Sequence, residues 1–116
     1  MHVLLIVNDS PYGSERSYQA LRLAGALLES DKDLDLTLYL TCDGVYCARR
    51  GQQTPQGYYN IERMLTPILR RGIVMACRTC LEARGLVLQD LAEGVREARL
   101  GELAQLTLEA DKVLVY

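Results

Sequence analysis

The chain has 116 residues, a length that suits a single domain over residues 1–116 with one hydrophobic core. Hydrophobic residues make up 49% of it and charged residues 24%, which is the balance of a soluble globular protein and excludes a disordered chain. The formal net charge of -2 argues against a nucleic-acid partner, because nucleic-acid-binding domains are usually distinctly basic.

Strand and helix patterns alternate along the chain. The unbroken apolar run at residues 3–7 predicts a strand covered on both faces, as in parallel sheets. The pattern then predicts a helix from a cap at Ser14 to about residue 30, a strand at 34–40, a helix at 45–50 and a polar loop at 51–57. Next come a helix at 60–71 that Pro67 should kink or interrupt, a strand at 73–76, short helices at 81–84 and 88–93, and a minor strand at 95–97. A helix at 101–110, with Leu103, Leu106 and Ala110 pointing inward, and a last strand at 113–116 complete the pattern. This order implies βαβ units, a mostly parallel sheet and helices on both of its faces.

No stretch of the sequence predicts a membrane span or a targeting segment. The run at residues 3–7 is far too short to cross a bilayer or to form the core of a signal peptide. We therefore expect a cytoplasmic protein, in which thiols are normally kept reduced. In that compartment four cysteines are typical of catalytic, metal-binding or buried thiols rather than of a disulfide framework.

Three predicted turns, at residues 8–13, 42–44 and 77–80, each follow a predicted strand. In parallel sheets the carboxyl ends of the strands meet at one edge, where ligands and reactive groups gather. That edge is the predicted active face. Asp9, Tyr12 and Asp43 lie on these turns, and we expect them to shape a pocket there.

The pair Cys77-x-x-Cys80 lies between a buried strand and a short helix. Gly85 suits the left-handed position at the end of that helix. A thiol at a strand-to-helix turn faces unpaired backbone N–H groups and the positive end of the helix dipole, and both favour the reactive thiolate. Arg78 and Arg84 would add positive charge nearby.

Several interpretations of the thiols remain open at this point. In one interpretation Cys77 and Cys80 are small buried hydrophobes, and in another they form a redox dithiol. In a third, one thiol carries sulfane sulfur as a persulfide, which needs an exposed thiol with a low pKa. Cys42 and Cys47 follow the second predicted strand, at the same edge of the sheet as Cys77, so a four-cysteine zinc site is another alternative. Zinc ligands typically lie on tight loops, however, whereas these two cysteine pairs fall on regular elements. A non-catalytic oligomeric binding module, with incidental cysteines, is a further one. We expect no metal and no cofactor.

The sequence resembles the DsrE/DsrF-like (YchN-like) family of sulfur-relay proteins over nearly its whole length. The stretches that carry the resemblance are residues 7–16, 21–24, 43–45, 57–65, 77–85 and 110–115. The resemblance implies a three-layer α/β/α domain that assembles as a homotrimer or as a homohexamer of two trimers.

In relay members of this family one cysteine holds sulfur as a persulfide and passes it to a partner protein. The resemblance implies that Cys77 is that cysteine and that the partners are sulfur-donor and sulfur-acceptor proteins. Cys80 is an additional thiol that relay subunits need not have, so the persulfide is either relayed or resolved by Cys80 into a disulfide. The leading hypothesis is therefore a sulfurtransferase-like sulfur carrier.

Overall fold

A five-stranded parallel sheet forms the centre of the computed structural model, which describes residues 1–56 and 58–116. The spatial order of the strands is β4-β3-β2-β1-β5, and every neighbouring pair is parallel. The strands are β1 (His2–Val7), β2 (Asp35–Leu40), β3 (Ile73–Cys77), β4 (Arg96–Ala98) and β5 (Lys112–Val115). The mostly parallel sheet predicted from the alternating pattern is confirmed.

Helices cover both faces of this sheet. They are α1 (Arg16–Ser30), α2 (Ile61–Met64), α3 (Thr66–Arg71), α4 (Arg78–Ala83) and α5 (Leu100–Glu109), with two 3₁₀ helices at Cys42–Ala48 and Leu88–Asp90. No helix in the described part of the chain is both long and apolar enough to cross a membrane.

Alternating side chains of the strands divide the core between two clusters. On β1, Val3, Leu5 and Val7 belong to the larger cluster, which includes the buried side of α1, whereas Leu4 belongs to the smaller one. Because successive side chains of a strand point to opposite faces, the clusters lie on opposite sides of the sheet. The smaller cluster packs against Leu103, Leu106 and Ala110, the face of the last helix that was predicted to point inward. The result is the expected three-layer α/β/α arrangement.

The predicted helix at residues 60–71 is two helices. Asn60 caps α2, its side chain accepting a hydrogen bond from the Arg63 amide at 3.1 Å. Pro67 lies in the first turn of α3, where its missing N–H costs nothing. The chain therefore restarts a helix at the proline instead of kinking through it.

Two other predicted helices also differ in detail. The N-cap position of α1 is Glu15, one residue after the predicted Ser14. The Ser14 hydroxyl still accepts a hydrogen bond from the Arg16 amide at 3.2 Å, as a cap does, and it donates to the Asp9 carboxylate at 2.7 Å. The helix predicted at 45–50 is the 3₁₀ helix Cys42–Ala48, which begins directly after β2. Gly57, which ends the predicted polar loop and opens one of the family stretches, lies outside the described residues.

Candidate functional site

The thiol pair lies where β3 passes into α4 without an intervening loop. Cys77 is the last residue of β3 and also the N-cap residue of α4, so that Cys80 occupies the third position of the helix. β2 and β3 pair in register, with Leu40 opposite Ala76. The residues that follow β2 therefore lie beside the two thiols, and the shared edge predicted from the sequence brings them together.

Cys77 lies just beneath the surface, with 9% of its area exposed. The sequence argument called for an exposed thiol, and the structure differs because this side chain belongs to the smaller core cluster, on the side of α5. Its Sγ is 3.3 Å from Thr79 Oγ1. Burial is the largest single influence and raises the pKa of Cys77, but the Thr79 hydroxyl, the amide and thiol of Cys80 and the Tyr39 phenol together lower this pKa to about 7.

Cys80 is half-buried, and its sulfur faces the end of β2. The Cys42 amide donates to Cys80 Sγ at 3.1 Å, and Thr41 Oγ1 is 3.5 Å from the same sulfur. Cys42 has a φ of 52°, the left-handed conformation that residues other than glycine seldom adopt. Such a conformation costs on the order of 1–3 kcal/mol and persists where the surroundings enforce it. Here it directs a backbone donor at the second thiol.

An ion pair connects the helix that carries Cys80 to the 3₁₀ helix after β2. Arg84 Nε donates to Asp43 Oδ1 at 2.9 Å, and Arg84 Nη1 donates to the Cys80 carbonyl at 3.0 Å. The hydrogen bond to Asp43 raises the pKa of Arg84. Gly85 follows with a φ of 67°, which confirms the left-handed position predicted for it. Asp43 and Arg84 thus hold the two sides of the thiol region together.

A cleft of about 580 Å³ opens beside Cys77, between the start of α4 and the start of α5. Thr79 connects the cleft to Cys77, because Thr79 borders the cleft and its hydroxyl contacts the Cys77 sulfur. Arg78 also borders the cleft, and its Nε donates to Glu82 at 3.0 Å along the surface of α4. The lining residues are Arg78, Thr79, Glu82, Arg99, Leu100 and Gly101. The cleft is therefore lined by the two residues that follow Cys77.

Asp9 and Tyr12 lie at the end of β1, one strand further from the thiols. The Asp9 carboxylate binds Ser14 and lies 3.8 Å from the Arg16 guanidinium. The Tyr12 hydroxyl donates to Gln52 and accepts from the Ile61 amide at 3.2 Å. Within the described ranges none of these bonds reaches Cys77 or Cys80. Their contribution to a pocket stays a prediction.

The other two cysteines have different surroundings. Cys47 is fully buried in the larger cluster, and burial raises its pKa to about 11. Cys42 is exposed. Across residues 1–56 and 58–116, no three His, Cys, Asp or Glu side chains are placed to hold a metal ion together.

The sequence argument missed three hydroxyls beside the thiols, those of Tyr39, Thr41 and Thr79. Thr79 had a local signal, because it lies inside the C-x-x-C. Tyr39 and Thr41 had none, because their proximity depends on the alignment of β2 with β3.

The fold and the site define a three-layer α/β protein with two thiols at the carboxyl edge of a parallel sheet. The family model for the DsrE/DsrF-like family matches residues 1–116. The Escherichia coli (strain K12) protein YchN is 44% identical over 115 residues, which are 98% of this chain and 97% of that protein. The chain belongs to the DsrE/DsrF-like family.

A solved structure and a more distant relative extend the comparison. The crystal structure of YchN from E. coli superposes with a TM-score of 0.95 at 43% identity, covering 100% of this chain and 99% of that one. A protein of Vibrio vulnificus (strain YJ016), named as a sulfurtransferase TusD homolog, is 31% identical over 127 residues, covering 97% of this chain and 95% of that protein.

Proposed function

We propose that this chain takes up sulfane sulfur as a persulfide on Cys77 and passes it to a thiol of a partner protein. The observation that carries the proposal is the Cys77 thiol, whose pKa is lowered to about 7 at the carboxyl edge of the sheet. About half of such a thiol is thiolate at neutral pH, and thiolate is the nucleophile. Membership of the DsrE/DsrF-like family and the likeness to a sulfurtransferase TusD homolog support the same chemistry.

Sulfur transfer to Cys77 needs no oxidant. The thiolate of Cys77 attacks the outer sulfur of a donor persulfide, a new S–S bond forms, the donor's own S–S bond breaks, and the donor leaves as a thiolate. An acceptor thiolate then attacks the outer sulfur on Cys77 in the same way and restores the Cys77 thiolate. Thr79 and the Cys80 amide stabilise the Cys77 anion at both stages, since both lower its pKa.

Tryptic digestion provides a test with peptide resolution, because cleavage after Arg78 separates residues 72–78 from residues 79–84. After incubation with glutathione persulfide and alkylation, we expect the mass of one added sulfur on the peptide that contains Cys77. Cys80→Ser is the matched control and should retain this uptake, whereas Cys77→Ser should lose it. If Cys77→Ser takes up as much sulfur as the parent, the assignment to Cys77 is wrong.

A dithiol redox function is the second candidate, and the surroundings of Cys80 favour it. The Cys42 amide donates to the Cys80 sulfur and the Thr41 hydroxyl contacts it, and a purely packed thiol does not need these polar contacts. In the dithiol redox function, the Cys80 thiolate attacks the inner sulfur of the Cys77 persulfide, forms a Cys77–Cys80 disulfide and releases hydrosulfide. The same mass spectra distinguish the two functions, because the disulfide joins peptides 72–78 and 79–84 without added sulfur.

We also propose that the protein works in the cytoplasm as a homotrimer or homohexamer. Exposed apolar side chains on α5 and β5 support assembly, with Leu100 75%, Leu108 84% and Val115 63% exposed. Light scattering should give three or six times the 13.0 kDa of one chain. The mass of a single chain would contradict the assembly.

A further inference from the structure

Tyr39 is buried in the middle of the sheet with its hydroxyl unpaired. The side chain is 1% exposed. In the described part of the chain, its hydroxyl is the only buried side-chain nitrogen or oxygen without a hydrogen-bond partner. Leaving a buried hydroxyl unpaired destabilises a fold, and each such group in a structure calls for an explanation. Phenylalanine would fill the same space without that cost.

The strand register places Tyr39 next to the reactive thiol. Tyr39 on β2 pairs with Met75 on β3, and Cys77 lies two residues further on the same face of β3. Tyr39 and Cys77 belong to one buried cluster whose other buried members, Leu4, Met75 and Ala98, carry no N–H or O–H donor on their side chains. The phenol is therefore the buried donor beside the Cys77 sulfur on this face of the sheet.

We propose that Tyr39 is a positioning residue whose hydroxyl is reserved for the anionic sulfur on Cys77. It has no partner while Cys77 is a neutral thiol, and it donates a hydrogen bond when Cys77 is a thiolate. The part of the proposal that concerns the persulfide anion rests on the proposed function. In the persulfide state, the Tyr39 hydroxyl orients the outer sulfur toward the acceptor thiol.

The charges around the pair agree with this role. Burial is the main cause that raises the pKa of Tyr39, and the neighbouring Cys77, Cys80 and Glu102 raise it further, so the phenol keeps its proton throughout the range in which Cys77 ionises. Of the neighbouring groups, Cys80 on α4 lowers the pKa of Cys77, and Glu102 on α5 raises the pKa of Tyr39. Glu102 is itself held by the Arg99 amide, which donates to Glu102 Oε1 at 3.2 Å.

The pH dependence of Cys77 alkylation tests the proposal without any sulfur donor. Iodoacetamide labelling of the peptide 72–78, followed across pH, reports the ionisation of Cys77 alone. In Tyr39→Phe we expect the labelling midpoint to rise by about one pH unit, the size of one hydrogen bond to a charged group. Tyr46→Phe, which removes a half-buried phenol from the larger cluster, is the matched control and should leave the midpoint unchanged.

Thermal unfolding in mild acid separates positioning from a structural role. With Cys77 neutral the Tyr39 hydroxyl has no partner, so Tyr39→Phe should melt at the parent's temperature or above it.

If Tyr39→Phe is poorly folded, Tyr39→Leu also lacks the hydroxyl and should show the same raised midpoint of Cys77 labelling. An unchanged or lowered midpoint overturns the proposal, whatever sulfur uptake shows. If the parent takes up no sulfur while Tyr39→Phe still raises the midpoint, only the persulfide function is refuted.

Discussion

Removing the Thr79 hydroxyl should weaken the nucleophile at Cys77. Thr79 Oγ1 is 3.3 Å from Cys77 Sγ, and among the groups that lower the pKa of Cys77 its hydrogen bond has the largest effect. Thr79→Val keeps the branched shape of the side chain and removes only the donor. The pKa of Cys77 should therefore rise, because the thiolate loses a hydrogen bond that the neutral thiol needs less.

The size of this effect follows from the exposure of Thr79. A hydrogen bond to a charged group contributes about 1.5–3 kcal/mol, and an exposed donor such as Thr79 belongs at the lower end of that range. Since one pKa unit corresponds to about 1.4 kcal/mol, we expect the pKa of Cys77 to rise by about one unit from about 7. At pH 7 the thiolate fraction then falls from about a half to about a tenth, roughly a fivefold loss.

The assay is the rate of Cys77 alkylation between pH 5 and pH 10, with Thr79→Ser as the matched control that keeps the hydroxyl. Thr79→Val should react about five times more slowly than the parent at pH 7 and equally fast once both thiols are fully ionised. Thr79→Ser should follow the parent. If the pH profiles of Thr79→Val and the parent coincide, the assignment of the hydrogen bond is refuted.

Two further predictions concern stability. Because the pKa of Cys77 is lowered from 9.0 to about 7, its ionisation stabilises the fold above pH 9, and this is lost as the pH falls to 7. The free energy of unfolding relative to Cys77→Ser, from urea denaturation, should rise by about 2 kcal/mol from pH 7 to 9, and a flat difference would contradict the shift. Gly44→Ala would place a Cβ 2.2 Å from the Val7 carbonyl oxygen and should cost roughly 1–3 kcal/mol or prevent folding. In Gly25→Ala, within α1, the Cβ meets nothing within 4 Å, so thermal melts should show a gain of about 0.5–1 kcal/mol, and equal effects at the two glycines would refute the steric argument.

Local patterns in the chain were enough to predict the fold class. The apolar run that became β1 and the inward face of α5 follow from spacing within a single element, and so does the left-handed Gly85 after α4. The boundaries were less predictable where two local signals compete. Pro67 lies in the first turn of α3 rather than bending one long helix, and the N-cap position of α1 is Glu15, one residue after the predicted Ser14.

Within the candidate site, the sequence predicted the thiols, their shared edge and the nearby Asp43 and Arg84, but not the contacts that these groups make. The polar groups in contact with the Cys80 sulfur come from residues 38 and 39 positions away in the chain, and Asp43 lies 41 positions from Arg84. The left-handed backbone of Cys42 has no signature in its residue type. These contacts depend on how two separate turns meet.

By itself, the sequence determined that this is an α/β protein with a C-x-x-C at the carboxyl edge of a parallel sheet, because hydrophobic periodicity and the strand-to-helix position of the motif are local properties of the chain. Only the tertiary structure decided that Cys77 is buried beside Tyr39 and that Cys80 faces the end of β2. The physical reason is that strand register and the meeting of distant turns come from packing between elements. The pKa of a thiol follows from that packing.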